Sequence, residues 1–214
     1  MSIYLNSYYP IGHTSFGINA IEQFGIHPLT DGSIRREPDF GHPLSPVSGL
    51  CRPGKMANFQ AGDIIVYKTN TSHILTAILQ IDRKFDTHQE AAKWLDQNGY
   101  IIPSNNILSA PLPLNQSHAH RYMNKVGTGK RLDNAIHFQW NKLYLERATN
   151  PKSSYFFINK SFYNAVVNNV QREDYLHIDD ILRKHLGSIP RTNWRPEPIT
   201  EKVLNDIMNV IQEI

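Results

Sequence analysis

The sequence is poor in cysteine and in charge, and it has no long apolar run. Cys51 is the only cysteine among 214 residues, so no disulfide can form within the chain, as is typical of a reducing compartment. No apolar run approaches the about 20 residues that a membrane-spanning helix needs. The first residues, MSIYLNSYYPIG, show no basic segment followed by an apolar core. We therefore expect a cytoplasmic protein without a secretory signal or a membrane partner.

The balance of residue types predicts a folded protein. A hydrophobic content of 40% and a charged content of 19% exclude an extended disordered chain. The length suits one large domain, and we expect a single α+β domain over residues 1–214. Its core lies in residues 1–110, with a loop-rich N-terminal segment, and residues 111–214 add a looped excursion, a short strand and C-terminal helices.

Acidic residues are absent from two stretches, residues 40–62 and residues 97–132, although the chain has 19 of them. One interpretation is that both stretches face a phosphate-bearing ligand, because an acid there would repel the phosphates. The alternative is that they are ordinary solvated loops. The first interpretation predicts contacts to phosphate or nucleic acid from Lys55, His118, His120, Arg121, Lys130 and Arg131.

Apolar spacing predicts a central hairpin. The runs at residues 64–67 and 73–81 are apolar on both faces and are joined by a short polar turn at residues 70–72, a pattern typical of two buried strands. Earlier in the chain, residues 2–9 predict a first strand.

Helical spacing follows in several segments. Thr87 and Glu90 have the spacing of a capping box, which predicts a helix over residues 87–98 that Gly99 ends. The remaining predictions are a short strand at 155–159 and helices over 174–186 and 200–214. Residues 136–147 fit both the alternation of a strand and the spacing of a helix, and we favour a helix there.

The sequence carries no familiar catalytic or metal-binding motif. His118 and His120 alternate, so both could face one ion in a strand, but no carboxylate or cysteine nearby completes the set. Residues 127–131 (GTGKR) lack the spacing of a phosphate loop. Cys51 lies beside Arg52, and a nucleophilic role would need a base, for which His42 and His73 are candidates; the alternative is inert packing. We predict no catalytic residue, no metal and no cofactor.

Three loops offer binding chemistry instead. Residues 33–37 place two arginines beside a glutamate, residues 103–106 are rich in amides, and residues 191–196 set a tryptophan between two arginines. Such groups suit phosphates, base edges and stacked bases. The alternatives are a local Arg–Glu pair, simple turn chemistry and a tryptophan in the core.

A resemblance to a known family rests on runs within residues 1–110. They are IHPLTDGSIRREPDFGHP, LCRPGK, GDIIVYKT, LTAILQI, the F-x-x-H-x-E-A-A-x-W helix and PSNN. Together they resemble the nucleotide-modification-associated domains of the PUA-like superfamily, which also holds the ASCH, EVE and YTH domains. The resemblance implies a small, partly open β-barrel with flanking helices, to which the C-terminal helix is added.

The family implies a function that we take as our expectation. It is a non-enzymatic binding module that recognises a modified base or nucleotide, linked to DNA modification or restriction and to protein partners of such a defence system. Residues carried over as ligand contacts are Arg35, Arg36, Cys51, Arg52, Lys68, Thr69, Ser104 and Asn105. Aromatic candidates for the pocket are Tyr8, Phe40, Tyr67 and Trp194.

Two other functions stay open. One is a nuclease-like hydrolase that acts on nucleotides or nucleic acid with the same fold. The other is a protein-interaction module, which would use the apolar stripe of residues 203–214 if that stripe were exposed.

Overall fold

The computed structural model describes residues 1–13, 18, 21–22, 27–32, 38–48, 55–100, 155–190 and 196–212. Their strands are β1 (Ile3–Tyr8), β2 (Val47–Ser48), β3 (Ile64–Thr69), β4 (Leu75–Phe85), β5 (Phe156–Asn164) and β6 (Glu197–Pro198). Their longer helices are α1 (His88–Gln97), α2 (Asp179–Leu186) and α3 (Glu201–Gln212), and short 3-10 turns occur at Ile11–His13, Lys55–Asn58 and Arg172–Asp174.

All six strands form one mixed sheet. Their order is β2-β5-β4-β3-β1-β6, in which β1 and β3 run parallel and every other pair runs antiparallel. The end strands β2 and β6 are not neighbours, so the sheet formed by the described strands is open. The predicted α+β class is confirmed.

The predicted hairpin is confirmed as β3 and β4, and it occupies the middle of the sheet. All six residues of β3 are buried, because helices cover one face and aromatic side chains cover the other. The first strand, predicted over residues 2–9, is β1. The strand predicted at 155–159 is β5, which continues to Asn164.

The helix-covered face holds the aliphatic core. Ile64 and Val66 of β3 pack with Leu182 of α2 and with Val203 and Ile207 of α3. The described part of the stripe therefore packs on the core: Val203 is 1% exposed and Ile207 is fully buried, while Val210 and Ile211 are half-buried. This packing argues against an interaction module that uses Val203 and Ile207.

The opposite face of the sheet holds an aromatic core. The Phe40 ring centroid lies 5.1 Å from that of Tyr8 and 5.3 Å from that of Tyr67. All three rings are almost fully buried against one another. These candidates for a stacking pocket therefore pack as core, and Trp194 lies outside the described residues.

Capping residues in the sequence correctly predicted both ends of α1 and the C-terminal end of α2. Thr87 caps α1, its hydroxyl oxygen accepting a hydrogen bond from the Glu90 backbone N at 3.2 Å, and Gly99 follows with a φ of 73°. Gly187 ends α2 in the left-handed conformation that glycine tolerates best.

The predicted start of α2 at residue 174 is wrong. Residues 172–174 form a 3-10 turn and the α-helix begins at Asp179. Between them, Leu75 N donates to Leu176 O at 2.8 Å and Ile178 N donates to His73 O at 3.3 Å. These bonds to the start of β4 hold the segment extended, which local helical spacing cannot reveal. The helix predicted over 136–147 lies outside the described residues.

No helix within the described ranges is long and apolar enough to cross a bilayer.

Candidate functional site

Most of the predicted site residues lie outside the described residues. Lys68 and Thr69 are described in full, and Lys55 is placed in the backbone of a 3-10 turn. The structure does not describe Arg35, Arg36, Cys51, Arg52, Ser104, Asn105, His118, His120, Arg121, Lys130 or Arg131. Their predicted contacts stay predictions.

The two acid-free stretches touch at their described margins. The imidazole of His42, in the first stretch, lies with its centroid 6.2 Å from the ring of Tyr100, in the second. Leu44 and Tyr100 pack against the same apolar cluster beside α1. Within the described part of the chain, the two stretches therefore meet at His42 and Tyr100.

Lys68 is fully buried at the end of β3. Its Nζ lies 3.0 Å from Nδ1 of His73 and 3.4 Å from the carbonyl oxygen of Thr69. A lysine ammonium only donates, so Nδ1 of His73 accepts. Burial lowers the pKa of Lys68 to about 8, and the nearby carboxylate of Asp179 offsets part of that effect.

Thr69 is also fully buried. Its hydroxyl oxygen accepts a hydrogen bond from the backbone N of Ile74 at 2.9 Å, so the side chain closes the turn between β3 and β4. The side chains of Lys68 and Thr69 both engage this β3–β4 turn (residues 70–73) from within the protein, and neither reaches solvent.

The outer side of the β3–β4 turn holds two histidines. Nδ1 of His13 lies 2.9 Å from the hydroxyl oxygen of Thr71, and Nδ1 of His177 lies 3.0 Å from the carbonyl oxygen of Ser72. A carbonyl oxygen only accepts, so Nδ1 of His177 carries a proton. The ring nitrogen Nε2 of His177 is thereby left for a ligand.

These histidines open into a cleft of about 500 Å³, which we name the histidine cleft. Six of its lining residues are apolar: Pro10, Ile18, Ile21, Pro28, Leu29 and Ile74. Five others are polar, namely His13, Ser72, Arg172, Tyr175 and His177, and Gly12 completes the lining. None of the described lining residues is acidic.

A third histidine, His27, stabilises the wall of the cleft through two hydrogen bonds. Nε2 of His27 donates to the carbonyl oxygen of Val170 at 2.9 Å, so its Nδ1 accepts from the backbone N of Leu29 at 3.2 Å. Burial lowers the pKa of His27, which favours this neutral form. His27 therefore ties the loop of residues 27–32 to the segment after β5.

Two glycines let the same loop approach closely. A Cβ on Gly32 would lie 2.7 Å from the carbonyl oxygen of Tyr9, and one on Gly12 would lie 3.3 Å from Pro28. Gly32 N donates to that carbonyl oxygen at 2.8 Å. The placement of Pro10 and Pro28 in the lining of the histidine cleft depends on this close backbone packing.

The cleft can attract an anion. Arg172 is exposed and makes no ion pair within the described residues, so its guanidinium is available to a ligand. It provides hydrogen-bond donors of the kind that bind phosphate and carboxylate groups. In the described residues, no group of three or more His, Cys, Asp or Glu side chains is arranged to hold a metal ion.

Sequence reasoning missed His13, Arg172, Tyr175 and His177. They lie outside the acid-free stretches, and Arg172 precedes two acids. Charge patterning therefore did not select them. More than 150 residues separate His13 from the others. Backbone pairing of Ile74 with His177 brings them to one turn, and no local pattern signals that pairing.

No family model matches this chain, and no curated protein and no solved structure is significantly similar to it.

Proposed function

We propose that this protein is a binding module that holds a nucleotide, or a base of a nucleic acid, in the histidine cleft. The observation that carries the proposal is the lining of the cleft, which combines six apolar residues with five polar ones and has no acid among its described residues. A nucleotide needs both kinds of group, since its base has two apolar faces and its phosphate is an anion.

The size of the cleft supports a ligand of this class. Small-molecule sites fall between about 300 and 1,000 Å³ and combine an apolar lining with a few placed polar groups. In the proposed complex the base packs against Ile18, Ile21 and Ile74, beside the ring of Tyr175. The phosphate accepts hydrogen bonds from the guanidinium of Arg172 and from Nε2–H of His13, while Nε2 of His177 accepts a hydrogen bond from a hydroxyl group of the ligand.

The resemblance of residues 1–110 supports a narrower proposal. It favours a modified base as ligand, a PUA-like fold for the sheet, a place in DNA modification or restriction, and partner proteins from such a defence system. The residues carried over from that resemblance, such as Arg35 and Asn105, would then add contacts beyond the cleft. A cytoplasmic location fits the same proposal.

Calorimetry against a matched panel tests this function. The panel holds nucleoside monophosphates, inorganic phosphate, and plain and modified oligonucleotides of one sequence. We expect tighter binding of nucleotides than of inorganic phosphate, and at least a tenfold loss of nucleotide affinity in Arg172→Ala and in His177→Ala. The control Lys202→Ala changes an exposed cation of α3 and should keep wild-type affinity.

The proposal would be contradicted if all oligonucleotides bound equally, if salt abolished this binding, and if Arg172→Ala and His177→Ala left it unchanged. Such binding would be non-specific electrostatic attraction.

A further inference from the structure

We infer that the histidine cleft is also a catalytic site: His177 and His13 act as base and acid in metal-independent cleavage of RNA, with the 2′-hydroxyl of the substrate as nucleophile. This inference rests on the proposed function, because it requires that the cleft hold a phosphate of a nucleic acid.

The geometry of the β3–β4 turn supports it. His13 and His177 bond through Nδ1 to consecutive residues, Thr71 and Ser72, whose Cα atoms are about 3.8 Å apart. The two rings are therefore fixed on the same dipeptide and line the same cleft. In both rings the Nε2 atom makes no hydrogen bond within the described residues, and it is the atom left for chemistry.

The hydrogen bonds are compatible with these roles. The carbonyl oxygen of Ser72 requires a proton on Nδ1 of His177, so neutral His177 has its lone pair on Nε2 and acts as the base. Nδ1 of His13 faces a hydroxyl group, which can accept a hydrogen bond. The imidazolium form of His13 can therefore donate Nδ1–H to Thr71 while its Nε2–H faces the substrate as the acid.

The reaction balances without a further reactant. Nε2 of His177 takes the proton of the 2′-hydroxyl, the O2′–P bond forms, and the P–O5′ bond breaks as Nε2 of His13 protonates the leaving oxygen. The products are a 2′,3′-cyclic phosphate and a 5′-hydroxyl. Arg172 stabilises the negative charge that grows on the phosphate oxygens. Proton exchange with water then restores both histidines.

The proposed reaction requires RNA rather than DNA as the substrate. A strand that carries its own nucleophile needs only a proton acceptor, a proton donor and a cation at the phosphate. The cleft offers these three groups in His177, His13 and Arg172. DNA lacks the 2′-hydroxyl and would bind in the cleft without being cut by this route.

Incubation of the 214-residue chain with a random-sequence 20-mer RNA pool in EDTA tests the inference. We expect fragments that end in 2′,3′-cyclic phosphate and 5′-hydroxyl, and no cleavage of the 2′-O-methyl or DNA pools. His13→Ala and His177→Ala, purified in parallel, should each lose at least about 100-fold in rate. Lys202→Ala should cleave like the wild type. Thermal unfolding of each variant confirms that it is folded.

Binding of the uncleavable 2′-O-methyl pool separates the two proposals. If that pool binds in a manner that depends on Arg172 while RNA stays intact, the catalytic inference is overturned and the binding function stands. If the pool does not bind at all, the binding function fails as well. Equal cleavage by the wild type and by the His13→Ala/His177→Ala double variant would identify a contaminating nuclease and also overturn the inference.

Discussion

Lys68 and His73 form a hydrogen bond across the base of the β3–β4 turn, with Nζ and Nδ1 3.0 Å apart. His73 has a φ of 50°, a conformation that is uncommon for a residue other than glycine. The buried lysine thus holds a turn whose outer side carries both histidines of the cleft. Lys68 was expected to touch ligand directly, whereas its contacts in the structure make it a positioning residue for the turn.

Replacing Lys68 with methionine should alter stability in a pH-dependent way. The pKa of Lys68 is lowered from 10.5 to about 8, so between these values the unfolded chain holds a proton that the folded protein has released. The free energy of unfolding of the wild type should therefore rise with pH through this window, relative to Lys68→Met. Below pH 8 the variant should be more stable by about 1–3 kcal/mol, because it buries no charge.

Urea unfolding at pH 7, 8, 9 and 10 measures this difference. Lys202→Met, at an exposed position of α3, should keep a constant difference from the wild type over the series. A constant difference for Lys68→Met as well would show that Lys68 is not the buried cation described here.

Replacing Asn164 with alanine should loosen the loop of residues 38–48. Nδ2 of Asn164 donates to the carbonyl oxygen of Phe40 at 2.9 Å and to Oγ of Ser45 at 3.3 Å, while its Oδ1 accepts from two backbone N–H groups. Because these partners are left unpaired, we expect a loss of about 2–3 kcal/mol in urea unfolding. The exposed neighbour Asn168 provides the control, and a similar effect of Asn164→Ala and Asn168→Ala would contradict the prediction.

Replacing Gly32 with alanine should destabilise the wall of the cleft. The added carbon would lie 2.7 Å from the carbonyl oxygen of Tyr9 and 3.0 Å from backbone atoms of Pro10, so the backbone must move. We expect a loss of at least about 2 kcal/mol in thermal unfolding. Gly12→Ala, with its nearest contact at 3.3 Å, should cost less, and the reverse order of the two variants would refute this packing.

Removing the cap of α1 should have a small and specific effect. Thr87→Ala deletes the hydroxyl oxygen that accepts from the Glu90 backbone N, and we expect a loss of about 1 kcal/mol in the free energy of unfolding. Thr87→Ser keeps an equivalent hydroxyl and should stay within a few tenths of a kcal/mol of the wild type. Equal losses in both variants would show that packing of the threonine methyl, rather than the cap, is responsible.

The elements that the sequence predicts well are those set by neighbours in the chain. Runs that are apolar on both faces defined β3 and β4, and the spacing of Thr87 and Glu90 defined the start of α1. The late start of α2 could not be predicted, because it depends on backbone bonds from Leu176 and Ile178 to the start of β4.

The candidate site was the least predictable part for the same reason. His13 and His177 line one cleft because each bonds to the β3–β4 turn. This turn lies between the two histidines in sequence and far from both. Charge patterning detects clusters along the chain, whereas this cleft is a cluster in space. The buried Lys68 was singled out from sequence, but its burial in the turn follows from the helix that covers that face of the sheet.

A nuclear magnetic resonance titration with a nucleoside monophosphate tests the central claim most directly, because it locates the ligand. We predict that the side-chain nitrogens of His13 and His177 and the methyl groups of Ile18, Ile21 and Ile74 shift together, with one affinity. The methyl groups of Ile207, a core residue of α3, should not shift. Shifts confined to residues 33–55 and 104–131, or no shift in the histidine cleft at saturating nucleotide, would contradict the account.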